Sequence, residues 1–216
     1  VRSFVGKNRD SEGDKWSQED LDLNSGITGD ATAAYLGDNT TWLVYPTAKG
    51  AMIRTITIEG NGRPRMGHAN LLPNTTGTQP TIGAVGGKLA LFLWRNKSVK
   101  VALSIIRSGP RGLTMGAERP LDLLSDVPVG VTPGPVTPEG ASLWVGRIES
   151  DGTPRGGQTE VVRYAFNESG SEKVAFRSYM TGHYARRRMT LLWKQEKGNL
   201  PEGRIYQIAP GLEDEQ

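Results

Sequence analysis

Apolar and polar residues alternate along most of the chain, in short runs cut off by turn residues. A run containing a tryptophan returns four times: Thr41-Trp42-Leu43-Val44-Tyr45, Leu91-Phe92-Leu93-Trp94-Arg95, Ser142-Leu143-Trp144-Val145 and Thr190-Leu191-Leu192-Trp193-Lys194. The tryptophans at 42, 94, 144 and 193 lie 52, 50 and 49 residues apart. A second run follows each of them and mostly ends at glycine: Met52 to Gly60, Val99 to Gly109, Glu160 to Gly170, and Gly203 to Ile208. Alternation with a period of two predicts strands. Self-similarity at a fixed spacing predicts a repeat architecture.

Taken in order, Val1 to Val5 and the stretch from Trp16 to Leu23 predict short outer strands. The first full unit has a small-residue strand over Ala31 to Leu36, a turn at Gly37-Asp38-Asn39, and strands over Thr41 to Tyr45 and Met52 to Ile58. The second has Thr81 to Val85, a two-residue hairpin turn at Gly86-Gly87, Lys88 to Trp94, Val99 to Ile106, and an outer strand within Met115 to Leu123. In the third, Pro133, Pro135 and Pro138 weaken the inner strand. Strands follow at Ser142 to Ile148, Thr159 to Phe166 and Val174 to Tyr179. The fourth has Met189 to Trp193 and Arg204 to Ile208.

A unit of three or four antiparallel strands in about 50 residues cannot bury both its faces alone, and radial stacking of such units is the β-propeller solution. The expected fold is therefore all-β: one β-propeller domain or propeller segment over residues 1–216. Its four units run approximately over 31–78, 79–130, 131–181 and 182–216, with 1–30 as closing or preceding outer strands. A closed four-bladed ring and part of a larger ring, with its remaining blades on another chain, both fit. A solenoid has a shorter period, and a sandwich leaves the tryptophan spacing unexplained.

Composition narrows the function classes. The 28 glycines and 13 prolines suit many short strands. The 26 basic and 23 acidic residues are interspersed, so no nucleic-acid footprint is expected. Arg186-Arg187-Arg188 is too short a run to create one. No cysteine is present, which removes disulfides, thiolate catalysis and cysteine zinc sites. No apolar run reaches 18 residues, so no spanning helix is expected. Val1 is not an initiator methionine, which points to a processed product or a fragment. Four Asn-X-Ser/Thr sequons, at Asn39, Asn74, Asn96 and Asn167, point to a secreted glycoprotein.

The candidate ligand-binding residues are Trp42, Trp94, Trp144 and Trp193, whose rings suit sugar C–H groups, with Arg95, Arg147 and Lys194 as nearby donors. A tryptophan once per unit is also what packing between blades demands. His183 and Tyr184, with an acid such as Glu160 or Glu172, are candidates at an axial channel. His68 sits in a glycine- and proline-rich crossing. Asp20 with Asp22, Asp122 with Asp126, and Glu149 with Asp151 are the paired carboxylates, all in polar or turn-like stretches. The sequence assigns no catalytic residue, no metal site and no cofactor.

The unit of small-residue strand, turn, aromatic strand, turn and amphipathic strand resembles the fungal fucose-lectin type of β-propeller. The resemblance rests on Ala31-Thr32-Ala33-Ala34-Tyr35 leading to Val44-Tyr45, and on Gln79-Pro80-Thr81-Ile82-Gly83-Ala84-Val85 leading to Phe92-Leu93-Trp94-Arg95. It implies sugar held between adjacent blades by an arginine of the second strand, a glutamate of the third and an aromatic from the neighbour. The expected function is carbohydrate binding, with a glycan or small polar ligand as partner. A propeller enzyme of hydrolase or lyase/isomerase type and a protein-binding scaffold are the alternatives.

Overall fold

The computed structural model describes residues 2–6, 16–20, 26–37, 39–60, 64–109, 112–136, 138, 140–150, 157–167, 172–180, 190–195 and 203–208. The described residues form an all-β structure of antiparallel sheets. Strands β1 (Arg2–Gly6) and β2 (Trp16–Asp20) pair with each other. Sheet I comprises β3 (Thr32–Gly37), β4 (Thr40–Thr47), β5 (Gly50–Ile58) and β6 (Pro64–Met66), with β7 (Asn70–Leu71) also on β5. Sheet II comprises β8 (Gln79–Val85), β9 (Lys88–Arg95), β10 (Lys100–Gly109) and β11 (Gly112–Met115), with β12 (Arg119–Leu124) also on β10. Sheet III runs β13 (Gly130–Pro133), β14 (Ala141–Ser150), β15 (Gly157–Phe166) and β16 (Glu172–Met180). The last pair is β17 (Thr190–Gln195) with β18 (Gly203–Ile208).

The side-chain pattern explains how the sheets stack. In β9, Leu89, Leu91 and Leu93 join Val44, Ile53 and Leu72 of sheet I in one core. The alternate residues Ala90, Phe92 and Trp94 join Leu143, Val145, Val162 and Tyr164 of sheet III in another. Leu89 to Trp94 are therefore all buried, the near-continuous apolar run expected of a strand covered on both faces. Sheet II is the middle layer. Residues 115–123 hold most of β12, the outer strand expected there, and also the end of β11, with Gly116 N–H turning back to Ile105 O at 2.9 Å between them.

The first strands of the sheets converge. β8 touches β3 on one side and β13 on the other, and β13 touches β17. Ile82 N–H donates to Thr32 Oγ1 at 3.1 Å, and Thr81 Oγ1 donates to Val129 O at 2.9 Å. This convergence explains Gly83: a Cβ there would lie 2.7 Å from Val131 Cγ1 and 3.1 Å from a Leu143 methyl. Gly83→Val is expected to lower stability by about 1–3 kcal/mol through overpacking, read as an earlier midpoint in urea. An unchanged midpoint would mean that sheets II and III do not approach there. The Gly86-Gly87 turn has φ of +53° and +69°, the left-handed pair that a two-residue hairpin requires. Among the described residues the sheets form a stack and no closed ring.

Candidate functional site

Each tryptophan-bearing strand supplies charge as well as bulk. Arg95 closes β9 and points back toward sheet I. Its Nη1 and Nη2 donate to Glu118 Oε1 and Oε2 at 2.6 and 2.8 Å, the planar two-point pairing that guanidinium and carboxylate favour. Glu118 also lines a hollow of about 240 Å³ with Pro73 and Asn74 from sheet I's closing loop and Met115, Gly116 and Ala117 from sheet II. The hollow therefore combines a small apolar floor with an amide and a carboxylate.

The interface between sheets II and III holds a tighter cluster. Arg147 on β14 and Glu160 on β15 are directly paired in register. Arg147 Nε donates to Glu160 Oε2, and Nη1 donates to Glu149 Oε2 at 2.5 Å and to Leu124 O of sheet II at 3.1 Å. Glu160 is fully buried, whereas the side chain of Arg147 is 11% exposed. Nη2 of Arg147 takes no partner among the described residues and is the donor this cluster leaves open. Burial works against the charge on Arg147, but the hydrogen bonds and Coulombic attraction of Glu160 and Glu149 outweigh it, so its pKa stands above the ordinary arginine value. The guanidinium thus stays charged throughout the usual pH range, and its contribution to stability is fully present below the ordinary arginine pKa and is lost only as pH rises from there through the raised value. A further ion pair, Arg119 Nη2 to Glu172 Oε2 at 2.5 Å, spans the same two sheets.

The tryptophans sit inside. Trp42, Trp94 and Trp144 are only 7–8% exposed, so in this arrangement their rings fill the spaces between sheets and offer no open stacking face. Trp42 packs with sheet II residues and Trp94 with sheet III residues. Trp144 lies under Arg163, whose Cζ is 5.8 Å from the ring centroid, a cation–π distance. Trp193 pairs with Ile205 in the β17–β18 ladder. His183, Tyr184 and the Arg186 to Arg188 run lie outside the described residues, so the axial candidate rests on the sequence alone. Lys194 is on β17, and His68 is exposed.

Asp122 lies in β12 and Asp126 two residues after it, and Asp22 and Asp151 are outside the described residues. Among the described residues no group of three His, Asp or Glu side chains gathers for a metal, and no helix is long and apolar enough to cross a membrane. Sequence reading missed Glu118 and the pairing of Arg147 with Glu160. The latter was legible in principle, since Arg147 follows Trp144 by three residues and Glu160 precedes Arg163 by three, which is the register of an antiparallel pair. No protein-family model matches the chain, and no curated protein matches it significantly.

Proposed function

We propose that the chain is a non-catalytic carbohydrate-binding protein of propeller type, with polar ligands held in the clefts between successive blades. The observation that carries this reading is an arginine on the second strand of each of sheets II and III, held by a carboxylate from elsewhere in the same sheet: Arg95 by Glu118 and Arg147 by Glu160. Such pairs present donors and acceptors in fixed geometry, as recognition of neighbouring hydroxyls needs. At the interface of sheets II and III the arginine is on the second strand and the glutamate on the third, in keeping with the resemblance to fucose lectins. The hollow at Glu118 is on the scale of a single sugar ring and below the roughly 300–1,000 Å³ usual for larger ligands. Contact between the first strands of successive sheets supports the propeller arrangement. Asn39, Asn74, Asn96 and Asn167 are all exposed, which agrees with secretion as a glycoprotein.

A glycan array probed with the purified chain tests this. Specific binding is expected, and Glu118→Gln should weaken it at least tenfold, about 1.4 kcal/mol, with the urea midpoint little changed. Glu118 is a partly exposed carboxylate, so its removal affects stability weakly. No binding by a folded chain would sink the carbohydrate reading. The buried tryptophans would then favour a scaffold that binds protein through its faces.

A further inference from the structure

We infer that Trp94 is a positioning residue for Arg147, acting through the crossing segment 124–126 rather than as a ligand-stacking ring. Two consecutive peptide units in this segment are held at both ends. The Leu124–Ser125 unit donates its N–H to Val99 O at 2.8 Å, and its carbonyl, Leu124 O, accepts from Arg147 Nη1 at 3.1 Å. The Ser125–Asp126 unit donates its N–H to Ile148 O at 2.8 Å, and its carbonyl, Ser125 O, accepts from the buried Trp94 Nε1 at 2.6 Å. The Ser125 hydroxyl ties the two together: it donates to Val127 O at 2.7 Å and accepts from Ile148 N–H at 3.3 Å.

The indole N–H thus fixes one peptide plane, and the shared Cα of Ser125 passes that orientation to the next. That second plane presents the carbonyl that orients Arg147. Three residues from two sheets converge here: Trp94 on β9 of sheet II, and Arg147 and Ile148 on β14 of sheet III. Without the indole donor, Ser125 O is buried and unsatisfied, an arrangement that structures avoid by shifting the backbone. A shifted 124–126 segment withdraws Leu124 O from Arg147 Nη1, so the guanidinium opens more often and its Nε–H, bonded to Glu160, is reached by solvent more readily. The consequence for ligand binding rests on the cleft at Arg147 being a ligand site. The relay itself does not.

Trp94→Phe keeps the ring in the core and removes the N–H. Solvent exchange of the arginine Nε–H groups, followed by nitrogen-15 NMR on the ligand-free chain, reads the effect. Arg54 Nε–H, bound to Gly67 O at 2.9 Å in sheet I, is the internal reference. Arg147 Nε–H is expected to exchange at least about tenfold faster in the variant, with Arg54 unchanged within about twofold, since local opening differs between regions. Unchanged exchange at Arg147, or equal acceleration at both arginines, overturns the inference. If Trp94→Phe does not fold, benzothienylalanine at position 94 replaces the N–H by sulfur at nearly constant shape, and the same two outcomes apply. Faster exchange at Arg147 in a chain that binds no glycan would uphold the relay and reject the carbohydrate reading.

Discussion

Arg147→Met is expected to lower the stability of the folded chain by about 3–5 kcal/mol, the usual consequence of removing one partner of a buried ion pair. Methionine reproduces the aliphatic stem of arginine but none of its donors. Glu160, fully buried opposite it, would lose the Nε–H bond, and Glu149 and Leu124 O would lose their Nη1 donor. Glu149 and Leu124 are exposed to solvent and water replaces that donor, so the effect comes from Glu160. One comparison isolates it. Arg147→Met combined with Glu160→Leu should recover most of the loss, since an apolar pair of similar volume is near neutral against a buried ion pair. Urea unfolding measures all three proteins. A loss below about 1 kcal/mol for the single variant would place the pair in solvent, where exposed ion pairs have that size.

Phe92→Ala is expected to destabilise by about 3–5 kcal/mol, the range for removing a buried aromatic and leaving a cavity. Phe92 is fully buried between sheets II and III among Leu143, Val145, Val162 and Tyr164. Its neighbour Leu91 is fully buried on the opposite face, against sheet I. Leu91→Ala should therefore also destabilise, by about 2–5 kcal/mol. The two together test the layering, because a sheet with one wet face would tolerate one of the replacements at about 0.5 kcal/mol or less. Thermal or urea unfolding of the two variants decides between these outcomes.

The strands were the most legible part of the molecule. Their signal is local: Met52 to Ile58, Thr81 to Val85, Lys88 to Trp94 and Thr159 to Phe166 all fall within β5, β8, β9 and β15, with ends shifted by two residues or fewer. The Gly86-Gly87 turn is legible for the same reason, as two adjacent glycines suit a pair of left-handed residues. An outer strand within residues 115–123 was legible and is β12, but nothing local announces the short β11 before it or the turn at Gly116, which depends on Ile105 O across the sheet.

The candidate site was less legible. Arg95 and Arg147 stood out by their place after a tryptophan, but Glu118 is 23 residues from Arg95 and the leg between them crosses two turns. Pairing at that range follows from how the outer strands fold back, not from spacing. The tryptophans show the opposite difficulty. Recurrence is the same whether an indole packs or binds, and only the 7–8% exposure of Trp42, Trp94 and Trp144 separates the two. Ser125 carries no sequence signal at all. Its importance comes from two neighbouring peptide planes held by sheets II and III.

The central claim, that ligands enter between the sheets, is tested most directly by NMR mapping on the labelled chain. A neutral monosaccharide selected from the array would be titrated in. Amide shifts are predicted at residues 73–74 and 115–118 around the hollow, and at 124–126 and 147–149 beside Arg147. Shifts confined to other surfaces, or none at saturating sugar, would contradict the account.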